Sequence, residues 1–308
     1  MTQTVATQDT AANNLAGIVA MVGAMAFFIF SDIFSKLSTE RLPTGQVIAL
    51  RGLFSFLIFI VPAIALGYLV YLRDRMSWPW FIRVLGEMGA ALTFIPALAN
   101  MPIANLTAII QTLPLAMTAA GALILGEQVG IRRWAATAIG FLGAIIIMQP
   151  GTANFNWWSI AGLACVASIV VRDIATRKLD KSIPAILTTA TTAGGVAIAG
   201  CFLGLAEGPW PMPDPLTWAY LVAAAIAVAC GYYCSIIAAQ RAPLSVVAPF
   251  RYTIVPMAVL AGYVVWGELP SFTTVFGVTI IIAAGLYTFL RERARKAAPP
   301  PAPVVSRN

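Results

Sequence analysis

Two halves of this chain repeat one another at a fixed offset of 141 residues. Asp32-Ile33 recurs as Asp173-Ile174, and the basic residue four places on is Lys36 in one copy and Arg177 in the other. Pro43 recurs as Pro184, Pro102 as Pro243, Thr112 as Thr253 and Gly121 as Gly262. Gly126-Glu127 recurs as Gly267-Glu268, and Ile139 as Ile280. Apolar segments share some identities by chance. Rare polar and proline landmarks do not keep one gap-free offset that way. The chain is therefore a duplicated unit, and a repeat constrains architecture before any single residue does.

Only 10% of the residues are charged, against about 25% in a soluble domain, so a water-exposed globule is excluded. Ten apolar runs stand out, at 15–35, 45–68, 78–98, 102–125, 133–149, 157–174, 184–205, 216–239, 243–266 and 271–290. Each approaches the roughly 20 residues that a helix needs to cross a bilayer. A membrane barrel alternates apolar and polar residues, and these runs do not. Lipid offers no water to backbone groups, so each run must close its hydrogen bonds as a helix. The expected class is an all-α polytopic membrane protein with ten transmembrane helices. Five spans per copy is an odd number, so the second copy enters from the opposite face, as an inverted repeat. The expected division is a polar N-terminal tail 1–14, a first five-helix repeat 15–151, a second 152–292, and a basic, Pro-rich tail 293–308.

The net charge of +7 does not mark a nucleic-acid binder, because the basic residues sit in alternate loops. Arg73, Arg75, Arg132, Arg133, Arg177, Lys178, Lys181 and Arg241 fall on one side, with Arg291, Arg293, Arg295, Lys296 and Arg307 in the tail. The other side holds little beyond Lys36 and Arg41, with Glu207 and Asp214. This is the positive-inside pattern, and it puts both termini in the cytoplasm. The first 14 residues lack the basic n-region of a signal peptide, so span 1 is expected to be an uncleaved anchor. The tail from Arg291 reads as disordered, a stop-transfer flank or a contact for anionic lipid heads. Cys165, Cys201, Cys230 and Cys234 all fall in apolar runs, and the chain has no His and no C-x-x-C. No metal and no cofactor is expected, and the thiols read as small buried side chains.

Two segments then carry a family likeness. One is Ala104 to Gly151, through P-L-A-M-T-A-A-G-A-L-I-L-G-E and G-F-L-G-A-I-I-I-M-Q-P-G; the other is Ser245 to Arg293, with A-P-F-R-Y-T, L-A-G-Y-V-V-W-G-E and A-A-G-L-Y. Both resemble the EamA-type repeat of the drug/metabolite transporter superfamily, over residues 15–292. The resemblance implies a five-plus-five inverted arrangement and ATP-independent transport of small metabolites such as amino acids, nucleobases, vitamins or cofactors. It implies a cavity lined by the first, third and fourth spans of each half. The chain departs from the common pattern at Arg251, so no single member's cargo carries over. The expected location is the inner (cytoplasmic) membrane of a bacterial cell.

Ionisable groups inside spans are functional candidates by default. Glu87 lies about 14 Å into its span, Arg251 about 12 Å and Arg51 about 9 Å. Arg83 and Glu87 share a helical face, as a polar strip on a cavity or as an internal ion pair. Arg251 has the apolar repeat mate Ile110, and Arg172 has Ser31, so both break the repeat's symmetry. Arg251 is expected to contact an electron-rich cargo or to pair with Glu87 or another acid. Tyr252 and its mate Gln111 are grouped with it. Asp32 and Asp173 read as helix-end ion pairs with Lys36 and Arg177, or as an alternating proton or substrate site. Arg51 faces the cavity or snorkels to the interface. Glu127 and Glu268 are gating residues or helix-end anchors. Tyr232, Tyr233 and Phe250 are packing residues or a stack for an aromatic cargo. Ala136, Gly140, Ala144, Gly277 and Gly285 let helices approach closely, either to join the halves or to form a homodimer face.

Inverted repeats suit alternating access around a midplane site. The function expected is a secondary transporter of a small polar or charged metabolite, driven by H+ or by an exchange substrate. The alternatives are an intramembrane enzyme, for which H-E-x-x-H, G-x-S-x-G, G-x-G-D and P-loop motifs are all absent, and a channel, which would show a repeated filter or charged ring.

Overall fold

A computed structural model describes residues 2–71, 76–127, 129–153, 155–180 and 182–297, the side chains of 2–12, 244, 245 and 292–297 excepted. Arg73, Arg75, Lys181, Arg307 and the prolines after 297 lie outside the described residues, as do the side chains of Arg293, Arg295 and Lys296. Among the described residues, ten helices are long and apolar enough to cross a bilayer: Asn13–Thr39, Thr44–Ala65, Trp78–Asn100, Ile103–Ile124, Ile131–Met148, Trp158–Arg177, Ala185–Glu207, Pro215–Arg241, Ala248–Trp266 and Phe272–Arg291. They are numbered spans 1 to 10 in chain order. No strand occurs among the described residues. The helix of span 1 begins at Thr2, and that of span 10 runs on to Ala297. The basic stretch after Arg291, expected to be disordered, is therefore helical at its start; Arg, Lys, Glu and Ala are good helix formers.

Repeat-equivalent helices pack on one another and run antiparallel. On spans 2 and 7, Gly45 lies against Gly204, Ala49 against Gly200 and Gly52 against Ala197. On spans 5 and 10, Gly140 lies against Ala284 and Gly143 against Gly277. The small-residue stripe thus joins the two halves of one chain. Span 1 packs on span 8 and span 3 on span 6, which are the same contact in the two copies. Opposed directions in equivalent helices are what an inverted repeat requires.

Spans 4 and 9 are broken at corresponding places. Span 4 splits into Ile103–Ile110 and Leu113–Ile124. Span 9 opens as a 3-10 segment, Ala248–Thr253, before the α-helix Ile254–Trp266. Pro114 and Pro256 have no N–H to continue the ladder. A repeat-equivalent threonine satisfies a carbonyl at each break: the Thr112 hydroxyl donates to Ile109 O at 2.7 Å and the Thr253 hydroxyl to Phe250 O at 2.7 Å. Broken helices survive in lipid only with such local repair.

The main core gathers Ile95, Leu98, Ile103, Leu106 and Ile109 from spans 3 and 4 with Ile48, Leu221 and Ile281. Large apolar side chains such as Leu123, Phe202 and Leu205 point outward, as lipid contact demands. The backbone approach of spans 2 and 7 leaves no room for a Cβ at Gly200. Gly200→Val is expected to cost about 1–3 kcal/mol through overpacking, read as a lowered melting temperature of the purified protein in detergent.

Candidate functional site

A cavity of about 360 Å³ lies between spans 2, 3, 6, 7 and 8, with Ile110 of span 4. Its walls come in repeat-equivalent pairs: Ile48 with Thr189, Arg51 with Thr192, Gly52 with Ala193, Ser55 with Val196, Glu87 with Val228 and Ala91 with Tyr232. The void therefore straddles the relation between the halves. The family likeness pointed to the first, third and fourth spans of each half. Here spans 2 and 7 form much of the wall, and span 4 contributes Ile110 alone.

Backbone symmetry is not matched by charge. Arg51, Arg83, Glu87, Arg172 and Asp173 all face the cavity, and none has an ionisable repeat mate except Asp173. Arg172 is the centre of the network. Its Nη1 donates to Glu87 Oε2 at 3.0 Å and its Nε to Asp173 Oδ1 at 2.8 Å. Gly86 makes this reach possible, since a Cβ there would sit 2.8 Å from the Arg172 nitrogen. Arg83 donates to the Thr176 hydroxyl, which donates to the Arg172 carbonyl at 2.7 Å. The expected Arg83–Glu87 pair is not formed: Arg172 arrives from span 6 and takes the carboxylate. Arg51 donates from Nη2 to Ser31 Oγ at 3.1 Å, and Ser31 donates to the Ala224 carbonyl at 3.0 Å. Arg51 thus faces the cavity rather than snorkelling.

The remaining candidates are placed differently. Tyr232 lines the cavity and meets Phe28 edge-to-face at 5.5 Å; Tyr233 is exposed and is not among the walls. Asp32 is half-buried on span 1 and is not among the cavity walls, though Arg51 acts on it through space. Arg251 is exposed on the 3-10 segment and is not among the cavity walls. Tyr252 points its hydroxyl into the notch left by Gly285 on span 10. Gln111 caps the first half of span 4, also off the walls.

Lys36 and Arg177 do not pair with the aspartates four residues before them. Each instead crosses to the other half. Lys36 Nζ meets Glu268 Oε1 at 2.8 Å, donates to Met101 O at 3.1 Å and lies 4.7 Å from the Trp266 ring centroid. Arg177 Nη1 meets Glu127 Oε1 at 3.3 Å. The two ion pairs are repeat images of one another, yet Lys36 is 8% exposed and Glu268 27%, against 54% for Arg177 and 49% for Glu127. Thr192, Thr189, Ser55 and Thr176 went unnoticed in the sequence. The offset that aligns Thr192 with Arg51 would have found it; hydroxyls in spans otherwise carry no distinctive signal.

Comparison with known proteins agrees with this architecture. A family model described as the EamA-like transporter family matches residues 15–149 and again 156–290. A riboflavin transporter of Rhizobium johnstonii is 28% identical over 91% of this chain and 95% of its own length. An S-adenosylmethionine uptake transporter of Rickettsia prowazekii is 22% identical over 92% of this chain and 96% of its own. A crystal structure superposes with a TM-score of 0.62 at 21% identity, covering 92% of this chain and 99% of that one.

A double-mutant cycle tests the network. Glu87→Ala with Arg172→Ala is expected to show a coupling above about 1 kcal/mol, because the pair is largely screened from water. The exposed Arg177–Glu127 pair is expected to stay within about 0.2–1 kcal/mol. Thermal unfolding in detergent of the single and double variants measures both.

Proposed function

Because the chain belongs to the EamA-like transporter family, we propose that it carries a small polar or charged metabolite by alternating access, in the cytoplasmic membrane and with both termini inside. The observation that supports this best is a cavity bearing Arg51, Arg83, Glu87, Arg172 and Asp173 and walled by equivalent positions of two repeats whose helices run antiparallel. A site shared in this way is reached from one face or the other as the halves rock. The relatives named as riboflavin and S-adenosylmethionine transporters support a cargo of vitamin or cofactor size. A void of this volume falls within the roughly 300–1,000 Å³ of small-molecule sites.

The two symmetry-related ion pairs serve as the gates in this reading. The buried Lys36–Glu268 pair, reinforced by Met101 O and Trp266, closes the outer end. The exposed Arg177–Glu127 pair guards the inner end, where Arg132, Arg133, Lys178 and Arg241 also gather. The drive is a proton gradient or the counter-movement of a second cargo. A protonophore separates these, because it abolishes accumulation only in the first.

Purified protein in proteoliposomes is expected to give saturable, ATP-independent flux, with riboflavin and S-adenosylmethionine as the first probes. No protein-dependent flux of any component of a pooled metabolite extract would overturn the proposal. Glu87→Gln and Arg172→Gln are expected to lose most of the flux, and Arg251→Ala less. Glu268→Gln is expected to raise labelling of the cavity thiol Cys165 by an impermeant reagent added outside severalfold, while Glu127→Gln leaves it unchanged. Equal labelling in both variants would remove the outer-gate role of Lys36–Glu268.

A further inference from the structure

The cavity holds three guanidinium groups that are not equally occupied. Arg172 is charge-compensated, with Glu87 and Asp173 both on its N–H edge. Arg83 and Arg51 have no carboxylate within ion-pair distance among the described residues. Arg83 donates to Thr176, and its Nε is buried without a partner. Arg51 makes a single hydrogen bond, to a neutral hydroxyl that is itself committed to the Ala224 carbonyl.

A guanidinium has five N–H donors and no acceptor. Holding one inside a membrane span is costly unless something completes its donors. Nothing in the repeat forces a cation at position 51, because its mate Thr192 fills the same place on span 7 without charge. Packing and backbone geometry are therefore served equally well by a neutral side chain. What Arg51 adds is an uncommitted, planar donor edge on the wall of the void. The same walls carry Tyr232 and Ser55, whose hydroxyls add hydrogen-bonding capacity, whereas the Thr192 hydroxyl spends its proton on the Thr188 carbonyl at 3.0 Å. Aromatic and aliphatic walls, Phe59, Phe94 and Ile95 among them, suit an apolar or planar body.

We propose that the cargo is an organic anion whose carboxylate or phosphate group is received by Arg51, with Arg83 as a second cationic contact in the same cavity. The inference rests on the transporter reading and adds to it the charge of what is carried. A guanidinium meets an oxyanion through paired, charge-assisted hydrogen bonds, so the anionic group supplies the direct partner that Asp32, acting on Arg51 only through space, does not. Arg172, already held by two carboxylates, organises the wall between spans 3 and 6 and does not serve as the receptor. Arg51 would also donate to a neutral carbonyl, but only an oxyanion adds the opposite charge, so an anionic cargo is expected to be held more tightly than a neutral one of the same size.

Full-length protein in detergent, probed with phenyl phosphate, benzoate and benzyl alcohol at equal ionic strength, tests the proposal. Both anions are expected to raise the melting temperature at concentrations about tenfold or more below that needed for the neutral alcohol. The phosphate and carboxylate arms show which oxyanion is preferred. Arg51→Gln is expected to bring the ratio of anion to alcohol close to one, and Arg51→Lys to keep part of it. The melting temperature of each variant without probe reports whether it folds. Anions and alcohol acting alike on the wild type, no stabilisation by either anion, or a preference that survives Arg51→Gln would each overturn the inference. Flux of pooled metabolites into proteoliposomes separates this failure from that of the transporter reading. Wild-type transport of neutral compounds alone sinks the anionic cargo and leaves the transporter standing, whereas no flux at all sinks the transporter.

Discussion

The rest of this structure depends on how closely the backbones of spans 2 and 7 approach. Gly45, Ala49 and Gly52 meet Gly204, Gly200 and Ala197, so two equivalent helices run past each other in opposite directions with almost no side chain between them. In lipid there is no hydrophobic force to press helices together, and close van der Waals contact of small residues takes its place. That contact orients the two copies. Once it is made, spans 1 and 8 and spans 3 and 6 follow as images of one another, and the space left between them is the cavity.

On this symmetric frame the side chains have diverged. Arg51 faces Thr192, Glu87 faces Val228, and Arg172 corresponds to Ser31. Each charge is borne by one copy, while its mate keeps the space filled and the helix apolar. The arrangement limits how many ions must be brought into the membrane, since a doubled set would set like charges near the same axis. It also explains why charges of both halves are needed to settle one another: Glu87 of the first copy finds Arg172 of the second, and Lys36 and Arg177 each find a glutamate across the boundary.

The span count and the family were legible in the sequence because hydropathy and repeat period are local quantities, while helix ends such as Thr2 and Ala297 and the break in span 4 were not. Arg51, Arg83, Glu87, Arg172, Asp173 and Tyr232 were legible as candidates, and all six line the cavity, because a polar group in a span has few other reasons to be there. Their partners were not. The pairing of Arg83 with Glu87, or of Lys36 with Asp32, follows from i, i+4 spacing along one helix, yet each basic residue is claimed by a group on another. Tertiary approach at Gly86, where span 6 comes within touching distance of span 3, decides this, and no helical wheel contains it. Arg251 and Tyr252 were grouped with the cavity on depth alone; the change to 3-10 geometry at Ala248–Thr253 turns that stretch in a way that depth in a regular helix does not anticipate.

The interruptions in spans 4 and 9 have a mechanical meaning. The first part of span 4, Ile103–Ile110, is embedded in the central apolar cluster through Ile103, Leu106 and Ile109, while the second part, Leu113–Ile124, contributes none of its residues there. A continuous rod would transmit any tilt of its far end into that cluster. A break at Gln111 and Thr112, where the Thr112 hydroxyl repairs the Ile109 carbonyl, would let the second segment bend as a lever on that fulcrum while the first stays anchored.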